Sequence, residues 1–120
     1  MVRFGLVGAA MLTVVSLAPD ASAATPYDGY WSVVIVTTRG ACERAYRSAV
    51  TISNGVVSGG DGLAQVYGRV NQRGGVSVVV TSGSQSARGS GRLSRSTGGG
   101  SWAGAGTSGR CSGSWSASRR

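Results

Sequence analysis

The chain has 120 residues, of which 41% are hydrophobic and 21 are glycine, and its formal net charge is +8. All twelve basic residues are arginine, and there is no lysine or histidine, which removes the commonest general bases and the amine nucleophile. It contains no C-x-x-C motif and no carboxylate cluster that would indicate a metal site. We therefore expect a protein that is not an enzyme and holds no metal or cofactor.

The first 23 residues have the pattern of a secretory signal peptide. Arg3 is followed by the apolar stretch Phe4–Ala18 and by Ala21, Ser22 and Ala23, an A-x-A cleavage signal. The apolar stretch is shorter than the roughly 20 residues that a membrane-spanning helix needs. We predict cleavage before Ala24, export to the periplasm or the exterior, no remaining transmembrane segment, a short leader over 24–29 and a single β-domain over 30–120.

The stretch Asp28–Cys42, with the sequence DGYWSVVIVTTRGAC, contains the longest run of β-branched residues, and the rest of the domain is predicted to form around it. Val33–Thr38, between Gly29 and Gly40, is typical of a buried strand. In an exported chain, Cys42 and Cys111 are expected to form a disulfide. It would close a loop of 69 residues and stabilise the fold by at most about 4 kcal/mol.

Four further strands are predicted before residue 82. Ala45–Ser53 alternates large and small side chains and ends at Asn54-Gly55, the pair that a two-residue type I′ hairpin turn favours. The chain then returns through Val56 and Val57. Ala64–Asn71 and Val76–Thr81 continue the same alternation, with a turn over 72–75 between them.

Beyond Thr81 glycine and serine dominate, a composition that by itself is typical of a disordered tail. Apolar or small residues nevertheless alternate with polar ones over 87–93, 102–106 and 111–117, which indicates strands. We therefore predict an all-β, eight-stranded antiparallel up-and-down meander, a closed or nearly closed small barrel with its tryptophans over inward glycines. A two-layer β-sandwich is the alternative. The predicted core is Trp31, Val33, Ile35, Val50, Ile52, Trp102 and Trp115.

Several arginines fall at outward positions of these strands. Arg88, Arg92 and Arg95 are predicted to share one outer face, with Arg69 and Arg73 on a nearby strand and turn. They are candidate anion-binding residues, although a solubilising, edge-protecting exterior is the favoured explanation. The expected partner is an anionic envelope component or an acidic protein, with non-specific attraction to nucleic acid and a monomeric state.

A resemblance rests on the segments 28–47, 74–80, 87–93 (ARGSGRL), 99–104 (GGSWAG) and 111–120 (CSGSWSASRR). Together they resemble small exported β-rich proteins of rhizobium-like alphaproteobacteria, often labelled as exoproteins involved in haem utilisation or adhesion. The resemblance implies no catalytic residue. In a mature chain without histidine or methionine, iron can be ligated only by Tyr27, Tyr30, Tyr46, Tyr67 or a free cysteine.

From the sequence we predict a disulfide-stapled, non-enzymatic binding or adhesion module of the envelope or exterior. The alternative is a small periplasmic hydrolase inhibitor or ligand-binding barrel. A third hypothesis is an enzyme, but its acids Asp28, Glu43 and Asp61 fall in three separate loops. An interior with room for a ligand favours the barrel that binds one, whereas an interior filled by the three tryptophans favours the adhesion module.

Overall fold

The computed structural model describes residues 23–60, 64–107 and 109–120, so the predicted signal peptide, apart from Ala23, lies outside the described residues, as does Asp61. The strands are β1 (Gly29–Arg39), β2 (Ala45–Ser53), β3 (Val56–Gly59), β4 (Ala64–Val70), β5 (Gly75–Ser82), β6 (Gln85–Leu93), β7 (Thr97–Gly106) and β8 (Gly109–Arg119). Each strand pairs antiparallel with the next and β8 pairs with β1, which closes the barrel. The predicted eight-stranded barrel is confirmed, and the sandwich alternative is wrong.

The seam between β1 and β8 is continuous from Trp31, opposite Arg119, to Thr37, opposite Gly113. The register then shifts, and Arg39 lies opposite Ser112. Just beyond this shift Cys42 and Cys111 form the predicted disulfide, with their Cα atoms 6.1 Å apart. The disulfide therefore joins the loop after β1 to the beginning of β8.

The Gly- and Ser-rich second half of the chain forms β6, β7 and β8, as the alternation predicted. Its inward glycines make room for large side chains. A Cβ atom added to Gly91 on β6 would lie 2.7 Å from Cζ2 of Trp115. In the turn before β5, a Cβ atom added to Gly74 would lie 3.1 Å from the Tyr27 hydroxyl oxygen. These two aromatic rings therefore pack against bare backbone, as the inward glycines suggested for tryptophan.

The hairpins place their turns alternately at two ends of the barrel. At one end, called the floor, lie the turns around 54–55, 71–74 and 94–96, together with residues 23–28 that precede β1. Asn54 and Gly55 have φ values of 53° and 79°, as the predicted type I′ turn requires. At the other end, called the mouth, β1 ends, β2 begins, and β5 turns back into β6.

The buried core lies at the floor. It consists of Tyr27, Trp31, Ile52, Val57, Val70, Leu93 and Ala117. Of the predicted core residues, Trp31 and Ile52 belong to this cluster, and Val33, Val50 and Trp115 pack against it while half-buried. Within the described residues no helix is long and apolar enough to cross a membrane.

Candidate ligand-binding cavity

The floor of the barrel is closed by the segment that precedes β1. Tyr27 is buried, and its carbonyl oxygen accepts a hydrogen bond from Nε1 of Trp31 at 2.8 Å. Trp31 is the largest fully buried side chain of the described residues, with 1% of its surface exposed. Both side chains are almost inaccessible to solvent, so they close the interior at the floor.

Asp28 fastens this segment to the first hairpin turn. Its carboxylate accepts hydrogen bonds from the backbone N–H groups of Asn54 (2.8 Å) and Gly55 (3.1 Å) and from the Thr25 hydroxyl (2.8 Å). Partial burial alone would raise the pKa of Asp28, but these hydrogen bonds to the charged form outweigh it and hold the pKa below its ordinary value of 3.8. The carboxylate is therefore a structural acceptor at the floor.

Arg119 holds the same segment from the other side. Its guanidinium donates to the carbonyl oxygens of Pro26 (2.9 Å), Asp28 (2.6 Å) and Arg95 (3.0 Å). Its Cζ atom also lies 5.1 Å from the centre of the Trp31 ring, within the range of a cation–π contact. The penultimate residue of the chain thus ties residues 26–28 and the turn after β6 to the closed floor.

Above Trp31 the barrel encloses a cavity of about 410 Å³. Its walls carry inward side chains that are almost all apolar, including those of Val33, Ile35, Val66, Val80, Trp102 and Trp115. The cavity continues to the ends of β5 and β6, at Ser82 and Gln85. Tyr46 stands at an inward position opposite Ile35, yet 37% of its surface is exposed. Solvent therefore reaches the interior from the mouth.

The cavity exists because the inward residues near the mouth are too small to fill the barrel. Ser48, Ala87, Gly89 and Gly104 occupy inward positions at this height and line the cavity. At the floor the corresponding volume is taken by Tyr27, Trp31 and Leu93. A closed wall of eight strands fixes the cross-section, so small side chains leave space that the backbone does not collapse to remove.

The tryptophans that line the cavity have their only polar group already satisfied. Nε1 of Trp102 donates to the carbonyl oxygen of Val36 at 3.0 Å, and Nε1 of Trp115 donates to that of Ser90 at 3.1 Å. Indole has no other hydrogen-bonding atom. The rings therefore present apolar surface to the cavity and require no polar partner from a ligand.

Polar groups gather at the mouth of the cavity. The lining there includes Thr37, Glu43, Tyr46, Ser82 and Gln85. The Thr37 hydroxyl donates to the Glu43 carbonyl oxygen at 2.6 Å, which leaves the Glu43 carboxylate outside this hydrogen bond. The cavity is thus apolar in depth and polar at its entrance, the distribution found in most small-molecule sites.

The predicted anion-binding arginines are spread over the outside of the barrel. Arg69 on β4 and Arg88 and Arg92 on β6 occupy exposed outward positions. Arg69 lies opposite Ser77, and Ser77 lies opposite Ser90, midway between Arg88 and Arg92. Arg73 lies in the predicted turn after β4, and its carbonyl oxygen accepts a hydrogen bond from Nη1 of Arg92 at 3.4 Å. Arg95 lies in the turn after β6 and not on the face of Arg88 and Arg92.

The possible iron ligands are similarly dispersed. Tyr27 is buried in the floor, Tyr30 and Tyr67 are exposed on the outside, and the described residues include no free cysteine. Tyr46 is the tyrosine that lines the cavity. Asp28 and Glu43 lie at opposite ends of the barrel, so they do not form a pair of acids. No cluster of three metal-ligating side chains occurs in the part of the chain that the structure describes.

Sequence reasoning left undecided whether the interior holds a ligand, and it missed the closing of the floor. Alternation shows which side chains point inward but not whether their volumes fill the barrel. Tyr27 precedes the first strand, in a segment that we expected to be only a leader, although a buried Trp four residues later is a signal for such a contact.

No family model, curated protein or solved structure matches the chain.

Proposed function

We propose that this protein is a non-enzymatic carrier or binding protein that holds a small apolar molecule inside its barrel. The proposal is carried by the cavity of about 410 Å³, which is shut at the floor by Tyr27 and Trp31 and reached from the mouth. Its walls are apolar, and the indole N–H groups of Trp102 and Trp115 are already bonded to backbone carbonyl oxygens. An apolar ligand is therefore accepted without leaving a buried polar group unpaired.

The volume of the cavity limits the size of the ligand. An apolar cavity of about 150 Å³ accommodates a single benzene ring, and ligand pockets generally measure about 300–1,000 Å³. A cavity of about 410 Å³ suits two or three linked rings, or an alkyl chain of similar volume. The proposed ligand is thus small, and its most polar part remains at the mouth.

Export is part of the proposal. The residues before Ala24 have the pattern of a signal peptide, and the Cys42–Cys111 disulfide is compatible with an oxidising compartment. The mature chain keeps eleven arginines against three acids, which favours residence near anionic envelope surfaces. Adhesion through the arginine-bearing exterior remains a prediction: Arg69, Arg88 and Arg92 lie near one another on the outer face.

The experiment is a titration of the oxidised mature chain with N-phenyl-1-naphthylamine, a neutral apolar dye whose emission rises in an apolar site. The test variant is Val80→Trp, which adds a large ring at an inward position that lines the cavity. The matched control is Val79→Trp, which adds the same ring to the outer face of β5, opposite Tyr67 and Arg88.

We expect saturable binding of the dye by the wild type and by Val79→Trp, and loss of at least about tenfold in affinity in Val80→Trp, because the added ring occupies the ligand volume. Folding of both variants is checked by the cooperativity of urea unfolding. Equal binding by Val80→Trp and Val79→Trp, or no saturable binding by the wild type, would overturn the proposed function.

A further inference from the structure

The indole ring of Trp115 extends sideways along the inner wall of the barrel. Trp115 belongs to β8, but its Nε1 atom donates to the carbonyl oxygen of Ser90 on β6, with β7 between them. The residue of β7 directly opposite Trp115 is Gly100, and the residue of β6 opposite Gly100 is Gly91. Because two strand spacings amount to about 9.5 Å, the ring reaches its acceptor only by crossing these glycines.

Trp102 makes the corresponding arrangement in the opposite direction. It belongs to β7, and its Nε1 atom donates to the carbonyl oxygen of Val36 on β1, with β8 between them. The residue of β8 directly opposite Trp102 is Gly113. A Cβ atom added to Gly113 would collide with the same Val36 carbonyl oxygen. The ring therefore passes a bare stretch of backbone on its way to its acceptor.

The two indole rings together form one side of the cavity, called the aromatic wall. Trp102 and Trp115 are diagonal neighbours on β7 and β8, so their Cα atoms lie roughly 7–8 Å apart. Since their rings extend in opposite directions, they lie along the wall from β6 to β1. The facing strands β4 and β5 contribute Val66 and Val80 to the lining. The cavity thus has an aromatic wall opposite an aliphatic one.

We propose that the molecule held in the cavity is a planar aromatic compound, which packs on the indole rings of Trp102 and Trp115 and against the methyl groups of Val66 and Val80. This rests on the proposed function, since it assigns the chemical class of the ligand of the same cavity. The wall holds the N–H edge of each indole, so the rings offer π surface to the interior.

The physical basis is the attraction between aromatic rings. Offset-stacked and edge-to-face pairs are favourable beyond the burial of their area, whereas a saturated ligand of the same volume gains only the burial. The hydrogen bond at the far end of each indole fixes its position before a ligand arrives. Little side-chain entropy is therefore lost on binding.

The experiment compares 2-naphthol with decahydro-2-naphthol. The two alcohols share one bicyclic carbon skeleton and one hydroxyl group, but only the first is aromatic and planar. Their binding to the oxidised mature chain at neutral pH is measured by isothermal titration calorimetry. One aromatic pair changes affinity by roughly two- to twelvefold. With two indole rings in the wall, we expect 2-naphthol to bind the wild type at least about fivefold more tightly.

The test variant replaces both rings of the aromatic wall: Trp102→Leu with Trp115→Leu. Leucine keeps the lining apolar. The matched control is Tyr30→Leu with Tyr67→Leu, which removes two aromatic rings from the outer face, where they are 65% and 57% exposed. The test variant should bind the two alcohols with affinities within about twofold of each other, while the control keeps the wild-type preference. Cooperative urea unfolding checks that both variants are folded.

A measurement on the wild type does not depend on the folding of the test variant. Intermolecular NOEs should join the ring protons of bound 2-naphthol to the indole protons of Trp102 and Trp115. NOEs should also reach the methyl groups of Val66 and Val80. NOEs to methyl groups without any to the two indoles would overturn the packing on the aromatic wall.

The outcomes separate this inference from the proposed function. If 2-naphthol binds the wild type no more tightly than decahydro-2-naphthol, the aromatic class is wrong, while saturable binding of N-phenyl-1-naphthylamine would still support an apolar site. If the control variant loses the preference as completely as the test variant, the assignment to the aromatic wall is wrong. If neither alcohol nor the dye shows saturable binding, both proposals fail.

Discussion

The floor and the mouth of this barrel share the same eight-stranded wall but differ in what stands inside it. At the floor Tyr27, Trp31 and Leu93 fill the cross-section and are buried. Towards the mouth the inward positions carry Val, Ser, Ala and Gly, and a cavity of about 410 Å³ remains. The difference shows that closure of the sheet and filling of its interior are separate properties of the sequence.

The comparison also separates stability from binding. The floor contains the buried rings, the Asp28 carboxylate acceptor and the Arg119 guanidinium donor. We therefore expect the interactions at the floor to contribute most of the stability of the fold. The mouth contains exposed loops, the disulfide and the polar entrance. Changes to the buried rings at the floor should therefore cost the most stability, whereas changes to the valines that line the cavity nearer the mouth should alter ligand binding at little cost in stability.

The largest expected effect is that of Trp31→Ala. Removing a fully buried tryptophan leaves a cavity and should lower the free energy of unfolding by about 3–5 kcal/mol, measured by urea denaturation of the oxidised protein. Trp102→Ala is the matched change near the mouth, where the ring is only half-buried, and it should cost less than half as much. Equal losses would contradict the assignment of the core to the floor.

Next in size is the loss of the disulfide. The double substitution Cys42→Ser and Cys111→Ser should lower the free energy of unfolding by about 3 kcal/mol, since it releases a loop with a sequence separation of 69. Native-state hydrogen exchange should show protection lost first in β1 and β8 near the mouth and last around Trp31. Uniform loss of protection along both strands would contradict a mouth that is held mainly by the disulfide.

A smaller effect is expected for Asp28→Asn. The amide keeps one acceptor oxygen in place of two, so the free energy of unfolding at neutral pH should fall by about 1 kcal/mol. Because the folded pKa of Asp28 is lowered, its contribution is present above the ordinary value of 3.8 and is lost as the pH falls through the folded pKa. The wild type and the variant should therefore converge in acid. A constant difference between them down to pH 2 would assign the effect to packing.

The smallest expected effect on stability is that of Val80→Trp, the variant expected to weaken dye binding. The added ring enters existing space, so the free energy of unfolding should change by less than about 1 kcal/mol. Val79→Trp, on the outer face, should change it by a similar amount. A loss of several kcal/mol in Val80→Trp alone would mean that the interior is too full to hold a ligand.

The fold was largely predictable because period-two alternation survives even where glycine and serine replace large residues, as in β6 and β8. The Asn54-Gly55 pair predicted the turn between β2 and β3, and the two cysteines predicted the disulfide beside the β1–β8 seam. The cavity was not predictable, because whether side chains on opposite walls, such as Ile35 on β1 and Val80 on β5, meet across the interior depends on barrel geometry. Nor did the sequence show that Arg119 would donate to the carbonyl oxygens of residues 26 and 28, which are distant in the chain.

The most direct test of the central claim is the position of a bound apolar molecule within the barrel. Intermolecular NOEs between N-phenyl-1-naphthylamine and the methyl groups of the labelled protein measure it. We predict NOEs to Val33, Ile35 and Val80 and none to the floor residue Val70, which does not line the cavity. NOEs confined to the outer-face methyl groups of Val34, Val56 and Val79 would contradict a ligand site inside the mouth.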